Sequence, residues 1–273
     1  MQNQLRAALV LGPDNGSLSP SLEFRSTPQV GGGDVPVAWQ SGLPVLSFDP
    51  QDRPHLDLAG TWKKERVTVD TNLSLTSRGF DGLRQIEQEG ADRHTTAFDD
   101  QMWFDKELSN VEHEMPAVIG SLGGPEPYEG GVWYRRQFTV DANWRAQQVI
   151  LHFLVSNCVL DVWVNGVWAG YHEGGYPPFA LDVTELVHYD GENVVVVRVD
   201  NPPWDTRLDT VLAVKSDWWN YTGIIQDIYL EATPKLYVVR ADICTPDTSR
   251  AVQVSAVLLN APTGRTTFCG AWH

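Results

Sequence analysis

Between Gly130 and Glu231 the chain is a succession of short apolar runs at period two, each closed by a turn signal. In Val132-Trp133-Tyr134-Arg135-Arg136-Gln137-Phe138-Thr139-Val140, residues Val132, Tyr134, Phe138 and Val140 share one face, the spacing of a strand laid on a core. Val149 to Val155 is almost continuously apolar, as a strand covered on both sides must be. Val159 to Val164 runs into Asn165-Gly166 and then Val167-Trp168, and Asn-Gly suits a two-residue hairpin because both residues accept positive φ. Asp190-Gly191 precedes the Val-rich run Asn193 to Val199, and Ile224 to Glu231 and Leu236 to Ile243 read as further strands. Many short strands with frequent turns and little helix predict an all-β sandwich.

The flanks read differently. Residues 1–55 are rich in Gly, Pro and Ser, with Gly31-Gly32-Gly33 and seven prolines, and predict an irregular N-terminal extension. Residues 63–112 are polar and mixed, with a short helix expected over Leu83 to Glu87. The sandwich is expected over 56–233. Pro234 marks a boundary, after which Leu236 to Ile243 and Val252 to Leu259 read as opening strands of a second β domain, left incomplete over 234–273. Strands without a partner sheet are expected to be poorly anchored.

A net charge of −15 argues against nucleic acid and an anionic membrane surface. No apolar run is long enough to span a bilayer, and Ala7-Ala8-Leu9-Val10-Leu11 is too short for a signal segment. Cys158, Cys244 and Cys269 are sparse and odd in number, which suits reduced thiols and a cytoplasmic location. The seven histidines show no metal spacing, and His172-Glu173 reads as a hydrogen-bonded loop pair. Cys158 reads as a small core residue without a basic neighbour to activate it. Gly174-Gly175-Tyr176-Pro177-Pro178 reads as a turn. No metal or cofactor is expected.

One stretch carries recognition chemistry. Ser216-Asp217-Trp218-Trp219-Asn220-Tyr221-Thr222-Gly223 sets a carboxylate beside two indoles, an amide and a phenol. Carboxylates and amides pair with sugar hydroxyls, and sugar C–H faces lie on aromatic rings. Asp217, Trp218, Trp219, Asn220 and Tyr221 are therefore the candidate substrate-binding residues. The competing reading is an aromatic loop packed on its own core. Gly223 permits a tight turn into the strand that follows.

Taken in order, these segments resemble the N-terminal sugar-binding domain of family-two glycoside hydrolases, the group of β-galactosidases, β-glucuronidases and β-mannosidases. Leu58-Ala59-Gly60-Thr61-Trp62 is similar to that family's opening strand, and Tyr128 to Arg136 to its central strand entry. Val162-Trp163-Val164-Asn165-Gly166 is similar to its hairpin, Gly170 to Phe179 to the loop after it, and Gly191-Glu192-Asn193 to a later turn. Asp217-Trp218-Trp219-Asn220-Tyr221-Thr222-Gly223-Ile224 resembles the glucuronidase version of a loop whose Asp contacts the sugar. The ordered set, Leu56 to Thr233, is far more specific than any one motif. Gln226 departs from the family's usual Arg, and Asn110 to Pro116 matches too poorly to carry residues over.

The resemblance implies a galactose-binding-like jelly-roll sandwich, followed by an immunoglobulin-like domain and a catalytic (β/α)8 barrel. It also implies a β-glycoside as partner. Retaining glycosidases need two carboxylates about 5–5.5 Å apart, and the family places its acid/base after an Asn. No Asn-Glu dipeptide occurs in the 273 residues, the barrel is missing from them, and no catalytic residue is expected. Three readings stand: the non-catalytic sandwich of a glycosidase, a free-standing carbohydrate-binding module, and a sandwich that mediates protein contacts. A homo-oligomer is compatible with each.

Overall fold

The computed structural model describes residues 23–28, 34–40, 43–45, 53–74, 78–112, 128–203, 220–244, 252–259 and 269–272. The strands in chain order are β1 (Glu23–Pro28), β2 (Asp34–Gln40), β3 (Leu43–Pro44), β4 (His55–Asp57), β5 (Gly60–Val67), β6 (Phe104–Leu108) and β7 (Gly130–Thr139). They continue with β8 (Gln148–Phe153), β9 (Ser156–Asn157), β10 (Val159–Val164), β11 (Val167–Glu173), β12 (Phe179–Asp182) and β13 (Glu192–Asn201). After these come β14 (Gly223–Ile224), β15 (Ile228–Thr233), β16 (Tyr237–Cys244), β17 (Val252–Leu259) and β18 (Cys269–Trp272). Among the described residues, two α-helices, α1 (Thr71–Ser74) and α2 (Phe80–Glu89), interrupt the first half.

The architecture is the expected all-β sandwich. A six-stranded sheet, β11-β10-β13-β7-β5-β6, faces a four-stranded sheet, β12-β8-β15-β4, and every pairing is antiparallel. Alternation along β13 shows how the sheet is used. Val195, Val197 and Val199 enter the core between the sheets together with Val132, Tyr134, Leu151 and Phe153. Val194 and Val196 point the other way, into a second core of Trp133, Trp163, Trp168, Trp103 and Ile86. The near-continuous valine run is therefore a strand buried on both faces.

Helix α2 closes that second core, and it is longer than the helix read from Leu83 to Glu87. The polar stretch around it proves to be a lid of loop and helix over the six-stranded sheet. Trp133 and Trp163 stack with centroids 5.4 Å apart, and the Trp163 indole N–H donates to Glu87 at 3.0 Å. These tryptophans are core, which removes them from any sugar-binding face.

Buried charges tie the lid down. Arg78 and Asp161 are both almost wholly buried, and the guanidinium donates from Nε and Nη2 to the carboxylate at 2.9–3.1 Å. Arg198 on β13 donates to Asp200 at 2.9 Å and to Glu89, in the last turn of α2, at 2.5 Å. Asn165 sits at φ +52° in the hairpin turn. Its amide donates to Leu186 O and Asn193 Oδ1 and accepts from Val194 N–H.

The flanks correct two expectations. Within 1–55, β1, β2 and β3 form a three-stranded antiparallel sheet, so residues 23–28, 34–40 and 43–44 are strands and not irregular chain. Pro28, Pro36 and Pro44 lie within these strands. The strands beyond Pro234 also have a sheet of their own, β16-β17-β18. Tyr237 is buried with Leu43, Ile150 and Ala180 on the outer face of the four-stranded sheet. Arg53 links the pieces: it donates to Glu231 at 3.4 Å and to Val238 O at 3.1 Å. The near end of the tail is thus anchored, while Ile243 further along β16 is exposed.

Breaking a buried ion pair strands its partner's charge. Arg78→Met should therefore cost about 3–5 kcal/mol in urea unfolding, and Arg78→Met combined with Asp161→Leu should recover most of that loss.

Candidate functional site

The recognition loop returns to the sandwich at Asn220. Asp217, Trp218 and Trp219 lie outside the described residues; Asn220 and Tyr221 lie within them. Asn220 is buried and Tyr221 half-buried. Gly223 and Ile224 then pair with Asn157 and Ser156 through β14 and β9, at the end of the sandwich where β13 and β7 also reach Asn201 and Gly130.

An amide and hydroxyl network sets the loop's exit. Asn157 Nδ2 donates to Asn220 Oδ1 at 2.8 Å and to Tyr221 O at 2.7 Å. Asn201 Nδ2 donates to Thr222 Oγ1 at 2.6 Å, and that hydroxyl donates to Tyr128 O at 2.5 Å. The Asn220 side chain is thus engaged inside the protein, whereas Tyr221 keeps an exposed portion. Tyr176, at φ +67°, accepts from the Tyr221 N–H at 3.2 Å. The turn read at Gly174-Gly175 therefore brings its aromatic residue to the same loop. A Cβ at Gly175 would sit 2.7 Å from Asn157 Oδ1, so glycine lets this turn close over the network.

Beneath Gly223 lies a carboxylate that the sequence reading passed over. Glu112 is buried and accepts from Lys64 at 2.6 Å, Arg66 at 3.1 Å and the Tyr134 hydroxyl at 2.8 Å. Its backbone N–H donates to Thr222 O at 3.0 Å. Burial works to raise the Glu112 carboxyl, but hydrogen bonds from Lys64 and Tyr134 and the charges of Lys64 and Lys106 hold it below the usual carboxylate range. Burial, together with the Glu112 charge, drives the Tyr134 phenol well above its ordinary value. An ionised acid matched by cations is a fixed anchor, not a group poised to exchange protons.

Asn157 had a usable signal: an Asn inside the apolar run Leu154 to Leu160 must find partners when buried. Glu112 had none, because its cations come from β5 and β6 across long loops. His172 corrects another expectation. It is not a hydrogen-bonded loop residue but a buried side chain at the end of β11, stacked flat on Phe179 at 4.1 Å. Neither ring nitrogen has a hydrogen-bond partner among the described residues. The adjacent Glu173 accepts from the Tyr171 hydroxyl at 2.5 Å. Cys158 is half-buried against the second core, and Gln226 is exposed.

Among the described residues, no group of three or more His, Cys, Asp or Glu is arranged to hold a metal. No helix among them is long and apolar enough to cross a membrane.

Residues 94–234 match the family described as glycosyl hydrolases family 2, sugar binding domain. A putative β-glucuronidase of Formosa agariphila is 33% identical over 153 residues, covering 56% of this chain and 18% of that protein. A β-galactosidase of Thermoanaerobacter pseudethanolicus is 34% identical over 113 residues, covering 39% of this chain and 14% of that protein. The chain thus spans less than a fifth of the length of these relatives. Among solved structures, a β-glucuronidase of an uncultured Clostridium superposes with a TM-score of 0.58 at 24% identity, covering 80% of this chain and 35% of that one. That likeness is one of fold.

Burial holds the His172 imidazole down to about 4 from an ordinary 6.5. The unfolded chain then binds more protons than the folded one between those two values. Stability present above pH 6.5 should be lost as the pH falls toward 4, by about 2–4 kcal/mol from this group alone. His172→Phe keeps an aromatic ring at the stack and removes the proton. Urea midpoints at pH 7 and pH 4.5 should therefore converge more closely in the variant than in the wild type.

Proposed function

The chain belongs to the sugar-binding-domain family of family 2 glycosyl hydrolases, and from that premise we propose that it is a non-catalytic sandwich serving a β-glycosidase. In this reading residues 56–233 are the jelly-roll domain and 234–273 open an immunoglobulin-like one. The loop from Asp217 to Tyr221 meets a β-glycoside that is held mainly by a catalytic barrel. The observation that carries the reading is the position of the loop's return. Asn220, buried, and Tyr221, partly exposed, stand at one end of the sandwich, in a root stitched to Asn157, Asn201 and Tyr176. A loop rooted so firmly can present Asp217 and the indoles to a ligand beyond the sandwich.

The chemistry supports a binding role over a catalytic one. Glu112 is neutralised by its cations, and the sequence contains no Asn-Glu pair. Asp217 supplies the charged partner for a sugar hydroxyl, a bond worth roughly 1.5–3 kcal/mol. The flanking aromatic rings supply faces for sugar C–H groups.

The purified chain should show no turnover of chromogenic β-galactosides, β-glucuronides or β-mannosides; activity that survives repurification would overturn the non-catalytic reading. Titration with the corresponding methyl glycosides should show binding no tighter than about 1 mM, and a markedly tighter value would favour a free-standing carbohydrate-binding module. Asp217→Ala should leave the stability of the chain within about ±0.5 kcal/mol. A melting loss of several degrees would instead make Asp217 a scaffold residue. In an enzyme that carries both this domain and the barrel, the same change should weaken sugar binding by about 10- to 100-fold.

A further inference from the structure

We infer that Glu112 is the positioning residue of the recognition loop, acting through Tyr134 on the backbone that carries Asn220 and Tyr221. This rests on the reading that the loop contacts sugar, and it adds the group that sets where the loop stands.

Glu112 grips the loop root from two sides. Its main-chain N–H donates directly to Thr222 O at 3.0 Å. Its carboxylate accepts the Tyr134 proton at 2.8 Å, which fixes the direction of that hydroxyl. The Tyr134 oxygen then stands directly under the loop backbone at Gly223. A chain of bonds therefore runs from Lys64 and Arg66 through Glu112 to Tyr134, on which the backbone of Gly223 rests. A neutral Gln at 112 could present its amide N–H to Tyr134, and the phenol could then turn its own proton toward the loop backbone. An ionised carboxylate can only accept, so it admits one orientation.

Packing reinforces the bonds. Gly223 adopts φ +105°, and a Cβ there would lie 2.6 Å from Tyr134 Oη and 3.1 Å from Glu112 Cγ. The loop backbone thus rests directly on the Glu112–Tyr134 pair, with no side chain between. Lys64, Arg66 and Lys106 hold the carboxylate from β5 and β6, on rigid strands of the six-stranded sheet. Arg66 also lies over the Tyr128 ring at 4.2 Å, and Tyr128 O receives the Thr222 hydroxyl.

Hydrogen exchange followed by mass spectrometry on the whole chain tests this without requiring sugar. In Glu112→Gln, exchange over 222–225 should quicken about tenfold or more, while 149–153 and 194–199 stay at wild-type rates. Tyr134→Phe keeps the ion pairs, removes only the relay hydroxyl, and should quicken the same segment; it decides the matter if Glu112→Gln does not fold. Because the two groups act in one chain, their combined variant should exchange little faster than the faster single one. No change over 222–225, equal acceleration in the control strands, or multiplied effects in the double variant would each overturn the inference. Failure of Asp217 to affect sugar binding would overturn the functional reading instead and leave the exchange result standing.

Discussion

Burial of the central strands on both faces is the constraint on which the structure depends. Strands β7, β10 and β13 have one row of side chains in the core between the sheets and the other row beneath helix α2. A sheet buried on both sides has no solvent face on which to leave polar groups. Each polar side chain on the outer row must then be paired. The Arg78–Asp161 and Arg198–Asp200–Glu89 links answer that demand, and they also fasten the lid to the sheet.

The same demand shapes the end of the sandwich where the recognition loop returns. Asn157, Asn201 and Thr222 are buried polar groups, and their bonds are made with one another and with main-chain carbonyls. The network that satisfies them also immobilises the loop root. Glu112 extends this logic to a charge: buried beside three cations, it stays ionised, and the tyrosine it orients lies against the backbone at Gly223. Satisfying buried polarity and fixing the root of the proposed binding loop are here one arrangement.

The outer face of the four-stranded sheet is covered by the chain's own flanks. Leu43 from the N-terminal sheet and Tyr237 from β16 meet over Ile150 and Ala180, and Arg53 joins Glu231 to the Val238 carbonyl. His152, stacked on Tyr229 at 4.6 Å, lies 3.3 Å from the same Glu231. The flanks therefore complete the burial of strands whose apolar runs already signalled two covered faces.

Local pattern alone determined the sandwich. Period-two alternation states which residues share a face, continuous apolar runs state that both faces are covered, and Asn165-Gly166 states where a hairpin closes. Those signals reside in neighbouring residues, so they are legible without tertiary contacts. The ordered motifs likewise pointed to the family. What only the tertiary structure decided was partnership across distance. The tryptophans near α2 became core because the helix folded over them, and the Gly- and Pro-rich start became a sheet because its short strands found one another. Glu112 became an anchor because Lys64, Arg66 and Tyr134, distant in the chain, converge on it. A carboxylate in a polar stretch looks the same in sequence whether water or three cations surround it; the difference is made by the strands that bring the cations, and pairing of distant strands is a property of the whole fold.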